Sequence, residues 1–376
     1  MDFDALKDQL ATTPAFVVDE NIIHANLTEL LELKKQSACR LLYSIKALPL
    51  KSVMKLAKDY VDGFSVSSLF EARLAKEILL DQGSIHITTP GLREDEFKQI
   101  SECCSHISFN SLSQYQRLHN QSNKQNSLAL RLNPKMSFSA DIRFDPCRPH
   151  SKLGVDIESL TGLAENIAGL HVHTVFSNTN YQALEKTVAL LEQKLGDQLK
   201  QLQWLNLGGG YLYHQINNHQ PFIDVVKRLK TRYGLDVFIE PGKAIVGNAG
   251  FLVTSVIDSF ISDGKQLTVL DTSVNHNPEV FEYQKTPELL EADPLGEYTS
   301  LLVGSSCLAG DVFGEYRFKV MPRVGDRLVF TQVGAYSLIK ANRFNGYNLP
   351  DVYAVDNSRA ISLLTQSTYQ DYRKQW

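Results

Sequence analysis

The sequence lacks any apolar run near the roughly 20 residues that cross a bilayer, so no membrane helix is expected. It also lacks a basic excess. The 38 Lys and Arg stand against 42 Asp and Glu, a formal net charge of -4 at pH 7, and a nucleic-acid footprint would need the opposite. The opening residues, Met1 to Asp8, are acidic and mixed, unlike a secretory leader. Cysteines are few: Cys39, Cys103, Cys104, Cys147 and Cys307. None has a metal-site spacing, so no metal is expected, and a reducing cytoplasm is the simplest home. No low-complexity linker, heptad run or internal repeat stands out. What is left is a soluble globular chain, 43% hydrophobic and 21% charged. Its 376 residues suggest two domains, or one large domain with an appendage.

Short apolar runs recur along the first 240 residues: Leu41–Ile45, Gly63–Ser67, Ser84–Thr88, His106–Asn110, Leu128–Leu132, Gly169–Val175, Trp204–Leu207 and Val237–Glu240. Helical patterns lie between most of them. In Ser68 to Leu80 the residues Leu69, Ala72, Leu74, Ala75, Ile78 and Leu79 fall at helical spacing. After Tyr181, Leu184, Val188, Leu191 and Leu195 make one face. Eight strands alternating with helices predict a parallel (β/α)8 barrel over residues 21–245. The rhythm then changes. Phe251–Ile257, Leu267–Leu270, Leu301–Val303, Arg317–Val320 and Arg327–Phe330 read as strands of an all-β second domain over 246–376. The segment 1–20, through Thr13 to Val18, is expected to join that domain's sheet.

Barrels of this kind do their chemistry at the carboxyl ends of the strands. Lys46 follows the first run, and a desolvated amine there forms a Schiff base with a carbonyl. Most lysines after a strand are merely solvated, so the neighbours decide. His171 and His173 share one face of the sixth run. Gly208, Gly209 and Gly210 end the seventh; they allow close backbone approach and offer N–H groups to an anion. A triple glycine is by itself more often only a turn. Glu240, before Pro241, Gly242 and Lys243, is left extended at the mouth after the eighth. The β region adds Cys307 and Asp311, and Tyr336, whose hydroxyl suits a phosphate oxygen or simply packs. Together these make a site for pyridoxal phosphate: a lysine for the aldehyde, a turn for the phosphate, an imidazole for the ring face and a carboxylate for the pyridine nitrogen.

The ordered set Tyr-Ser-Ile-Lys46, Gly-Leu-His-Val-His173, Leu-Gly-Gly-Gly210, Glu240-Pro-Gly-Lys243, Cys307 and Gly-Ala-Tyr336 resembles the fold-type III pyridoxal-phosphate decarboxylases, the alanine-racemase-like group. The likeness runs from Thr13-Pro14 to about Tyr347. It implies that Lys46 is the Schiff-base lysine, that His173 stacks on the ring and that Glu240 contacts the pyridine nitrogen. Gly208 to Gly210, Gly242, Lys243 and Tyr336 would serve the cofactor, chiefly its phosphate. The family also implies a homodimer with shared sites, in which Cys307 enters from the second subunit as proton donor to Cα.

Within the family the likeness is strongest to carboxynorspermidine and carboxyspermidine decarboxylases, through Asn275 to Tyr283, Cys307 to Asp311, and Phe144-Asp-Pro-Cys147 leading into Ser151-Lys-Leu-Gly154. Norspermidine or spermidine would be the product. The ornithine enzymes' aspartate after the cysteine is Leu308 here, and Ser65 replaces another of their aspartates. After His173 the chain reads Thr-Val-Phe-Ser177-Asn178 where the family suggests a more polar loop ending in glutamate. Candidate carboxylates for the substrate's distal amines are Asp271, Glu279, Glu282 and Asp311, with Tyr336 beside them. The alternatives are decarboxylation of another diamino acid (diaminopimelate, ornithine, lysine or a 2,4-diaminobutyrate-like compound), racemisation, or a non-catalytic cofactor carrier. Glu240 argues against a racemase, and Cys307 with Asp311 against a carrier.

Overall fold

The computed structural model describes residues 1–80, 82–139, 141–164 and 166–376. It divides into two units, residues 25–245 and a second made of 1–24 with 246–376. In chain order, β1 (Ala15–Asp19) and the helix Glu20–Ser37 precede β2 (Arg40–Ser44), β3 (Gly63–Val66), β4 (Ser84–Thr89), β5 (His106–Phe109), β6 (Ser127–Asn133), β7 (Val155–Asp156), β8 (Ile167–Val172), β9 (Trp204–Asn206) and β10 (Asp236–Ile239).

Strands β2 to β6 and β8 to β10 are joined by parallel ladders, and β10 returns to pair with β2, closing an eight-stranded barrel. Each of the eight apolar runs is one of these strands. The two-residue β7 is an addition, paired to β6 outside the ring and too short to show as an apolar run.

Local signals set the helices between strands. Ser68 caps Leu69–Leu79 by accepting the Glu71 N–H at 3.2 Å, and Leu80 ends it in the left-handed region. Leu69, Ala72, Ala75, Ile78 and Leu79 are its buried face. In Gln182–Leu195, Leu184, Val188, Leu191 and Leu195 are buried in the same way.

The barrel interior is filled. Trp204 lies over Gly169, where a Cβ would come within 2.1 Å of the indole. Leu42, Ala129, Trp204 and Phe238 form one cluster. Against it stack His86 and His106, centroids 3.8 Å apart and planes 7° from parallel. Burying each large apolar side chain here contributes about 1.5–3 kcal/mol.

The second unit adds β11 (Gly250–Ser262), β12 (Lys265–Leu270), β13 (Tyr298–Val303), β14 (Val312–Phe318), β15 (Arg327–Phe330), β16 (Asp351–Val355) and β17 (Ile361–Thr365). Its sheet runs β14-β13-β12-β11-β1-β16-β17, with β15 on β11. β1 pairs antiparallel to β11 and parallel to β16. Val17, Val253, Val329, Tyr353 and Val355 belong to its core. Two readings are corrected. The strand expected at Arg317–Val320 runs Val312–Phe318, where Gly314 and Glu315 interrupt the apolar pattern although Phe313, Tyr316 and Phe318 are buried. β16 and β17 escaped notice, the latter because it is a largely exposed edge strand. Among the described residues no helix is long and apolar enough to cross a membrane.

Candidate active site

Four strand ends bring the expected barrel residues to one mouth. Lys46 follows β2 in a short 3-10 turn, Ile45–Ala47. It faces a cavity of about 500 Å³ together with Ser67, Thr88, Arg131, His173 and Phe176. Its exposure is to this cavity, and protein encloses the rest of the side chain. That desolvation lowers the pKa of the ammonium, Glu240 opposes the shift and Arg131 adds to it. An amine that loses its proton more readily is the form that attacks a carbonyl.

Glu240 follows β10 and is 7% exposed. Its Oε1 accepts from Asn206 Nδ2 at 2.8 Å, and its Oε2 lies 3.5 Å from His171 Nε2. Burial alone would raise the carboxyl pKa, but His171, Lys46 and the Asn206 amide outweigh it, and the carboxyl is held below its ordinary range. Glu240 is therefore an anion. Burial lowers the His171 pKa, and Glu240 opposes that shift.

His173, just past β8, is neutral: burial, then Lys46 and Arg131, hold its pKa well below 6.5. Its Nδ1 accepts the Gly209 N–H at 3.1 Å. The glycines after β9 act mainly through shape. A Cβ on Gly209 would lie 2.2 Å from the Glu240 carbonyl oxygen, and Gly210 has φ +95° against the Val175 carbonyl. Two of their N–H groups are already used, Gly208 by Asn206 Oδ1 at 2.9 Å and Gly209 by His173. Among the described residues no protein acceptor takes the Gly210 or Tyr211 N–H. These are the donors a phosphate would find.

Gly242 lies against Ser44 and Ala47, and the Pro241 carbonyl accepts the Ser44 N–H at 3.0 Å, so the turn bearing Lys243 runs beside Lys46. Lys243 Nζ stands 5.6 Å from the centre of the Phe176 ring. Phe176 stacks on Phe144 at 5.1 Å, and Arg143 covers Phe144 at 5.4 Å. The departure after His173 thus builds an aromatic wall. Its segment is zipped to the glycine turn, where Asn178 N–H donates to Gly210 O at 2.8 Å and Leu212 N–H to Asn178 O at 2.9 Å.

The remaining expected residues belong to the second unit. Cys307 is exposed, with its N–H on Asn345 Oδ1 at 2.8 Å. Tyr336 is partly buried at φ +65°, and burial, then Glu279, push its hydroxyl up to about 12. Lys340 lies 5.5 Å over its ring and pairs with Glu282 at 2.5 Å. Asp271 and Asp311, expected to hold substrate amines, are committed internally. Asp271 accepts from Thr254 Oγ1 at 2.6 Å, Ser255 N–H at 2.9 Å and Thr13 Oγ1. Asp311, 3% exposed, accepts from Val274 N–H at 2.8 Å, Ser306 Oγ at 2.5 Å and Ser306 N–H at 3.1 Å. Their oxygens organise loops. Sequence reasoning missed Arg131 and Asn206, which lie inside apolar strands and carry no motif; it noticed His171 but assigned it no role.

The barrel residues fit pyridoxal phosphate: a deprotonatable lysine, an ionised carboxylate, a neutral imidazole and two unpaired backbone donors at one mouth. Comparison with known proteins agrees. The family described as pyridoxal-dependent decarboxylase, C-terminal sheet domain, matches residues 15–334. A carboxynorspermidine/carboxyspermidine decarboxylase of Campylobacter jejuni is 33% identical, covering 96% of this chain and 97% of that one. A carboxyaminopropylagmatine decarboxylase of Synechocystis is 34% identical over 96% of this chain and 94% of that one. The crystal structure of carboxynorspermidine decarboxylase from Campylobacter jejuni complexed with norspermidine superposes with a TM-score of 0.89 at 31% identity, covering 97% of this chain and all of that one. The chain belongs to the pyridoxal-dependent decarboxylase family and is a pyridoxal-phosphate enzyme.

Proposed function

We propose that this enzyme decarboxylates a carboxy-polyamine, turning carboxynorspermidine or carboxyspermidine into norspermidine or spermidine. The observation that carries the proposal is near-full-length likeness to the Campylobacter decarboxylase. Bound pyridoxal phosphate supplies an electron sink for the pair left on Cα as carbon dioxide departs. Lys46 would hold the cofactor's aldehyde carbon. Glu240 would keep a proton on the ring nitrogen and His173 would cover the ring face; the Gly210 and Tyr211 N–H groups and Lys243 would hold the phosphate, and the family likeness assigns Tyr336 the same role. Cys307, from the second subunit of a homodimer, would deliver the proton that replaces the carboxylate on Cα.

The cavity charges suit one end of such a substrate. Lys46, Arg131, Arg143, Arg148 and Lys152 line it against a single carboxylate, Asp145. Asp145 is spent on the Cys147 N–H at 2.9 Å and on Ser137. With Arg143 paired to Asp141 at 2.7 Å, the Arg131, Arg148 and Lys152 charges favour a carboxylate over an ammonium group. Glu279 and Glu282 are the remaining candidate carboxylates for the distal amines, with Glu282 already paired to Lys340 at 2.5 Å. Five free cysteines support a cytoplasmic location.

A second reading is favoured by the equal likeness to the Synechocystis enzyme: the far end of the substrate carries a guanidine, as in carboxyaminopropylagmatine. The test is carbon dioxide release from purified protein given carboxynorspermidine, carboxyspermidine, carboxyaminopropylagmatine, diaminopimelate, ornithine and lysine. The carboxy-polyamines should be turned over best; preference for a short diamino acid would overturn the assignment. Shared sites are tested separately by mixing Lys46→Ala with Cys307→Ala protein, which should recover about a quarter of the sites if subunits exchange at random.

A further inference from the structure

We propose that Asn206 is a positioning residue: it chooses which oxygen of Glu240 meets the cofactor ring, and it ties that carboxylate to the glycine turn. This rests on the reading that Glu240 faces the pyridine nitrogen and the turn faces the phosphate.

Asn206 is the last residue of β9 and 1% exposed. Both ends of its amide are used. Nδ2 donates to Glu240 Oε1 at 2.8 Å, and Oδ1 accepts the Gly208 N–H at 2.9 Å. The carboxylate only accepts and the N–H only donates, so the amide has one workable orientation. Oε1 is thereby occupied. Oε2 is left, beside His171, whose two buried ring nitrogens have no hydrogen-bond partner among the described residues.

The link is doubled through the backbone. The Glu240 N–H donates to the Gly208 carbonyl at 2.8 Å. Gly208 therefore grips Glu240 by its carbonyl directly, and by its N–H through the Asn206 side chain. Displacing the phosphate turn would displace the ring-nitrogen carboxylate with it.

The chemistry also explains a neutral donor. Lys46, Arg131, His86, His171 and His173 are the charged or titratable groups around Glu240. An amide holds the anion without adding a charge or a titration of its own. An aspartate there would put a second carboxyl within hydrogen-bond distance, and the two would share one proton. Protonated, it would imitate the amide. Ionised, it would push Glu240 away.

The test uses Asn206→Leu, Asn206→Asp and Glu240→Gln. Each apo-protein is titrated with pyridoxal phosphate, and the loaded proteins are followed by cofactor absorbance and kcat against pH. Asn206→Leu should weaken cofactor binding by about tenfold or more, the scale of a lost hydrogen bond to a charged group. Asn206→Asp should approach wild type at low pH and lose activity and native absorbance as pH rises, a limb the wild type lacks. Its size matches asparagine, so it keeps the test open if the leucine variant misfolds. Wild-type binding and absorbance in Asn206→Leu, or an Asn206→Asp loss equal at every pH, overturns the proposal. If Glu240→Gln also leaves absorbance and rate unchanged, the underlying site reading fails and this inference with it. If Glu240→Gln is impaired while the Asn206 variants are not, only the role of Asn206 falls.

Discussion

The Gly209 N–H donates to His173 Nδ1 across 3.1 Å, so the imidazole is neutral and carries its proton on Nε2. One ring is thus locked to the turn that approaches Glu240. His173→Leu removes the acceptor and leaves a buried N–H unpaired, which costs about 1–3 kcal/mol. Titration of the apo-protein should show cofactor affinity falling by about five- to a hundredfold at that scale. Unchanged affinity would show that the ring holds nothing in place.

Lys46 is the one lysine among the proposed groups that faces the cavity with a lowered pKa. Borohydride reduction of the loaded protein should fix the cofactor to the peptide containing Lys46, read by mass spectrometry. Lys46→Ala should give no adduct, and turnover should drop by roughly a thousandfold or more, as for other covalent catalytic groups. An adduct elsewhere would refute the assignment.

Phe176 joins Lys243 to Phe144 through one cation–π contact and one ring stack. Such contacts contribute about 0.5–2 kcal/mol each. Phe176→Ala should therefore weaken cofactor binding by roughly two- to thirtyfold, and Phe176→Tyr should restore it. Equal binding by all three proteins would mean that Lys243 needs no support.

The His86–His106 stack makes the barrel sensitive to acid. Burial lowers the pKa of both rings, that of His106 from 6.5 to about 4. Above 6.5 folded and unfolded chains are both neutral here. Below it the unfolded chain takes protons that the folded one refuses, so stability falls as pH drops from 6.5 toward 4. For His106 alone the full effect is about 3 kcal/mol. Urea midpoints at pH 7 and 4.5 should separate less in His106→Phe than in wild type; an equal separation would place the acid sensitivity elsewhere.

The barrel was legible because its strands are buried on both faces and so appear as continuous apolar runs such as Leu41–Ile45, while amphipathic helices mark the intervals. Glycine at three successive positions after β9 declared a close backbone approach that only glycine permits. Composition and spacing could not show which polar groups end up in contact. Asn206 and Glu240 are 34 residues apart, and only the β9–β10 ladder brings them within 2.8 Å. Arg131 reads as an oddity inside a strand until closure of the barrel aims it at the cavity. The same limit applied to Asp271 and Asp311. Their charge suggested amine partners, but nearby hydroxyls and N–H groups had already taken their oxygens. Burial periodicity is written along the chain, and hydrogen-bond partnership is decided across it, where a carboxylate takes whichever donors the fold delivers.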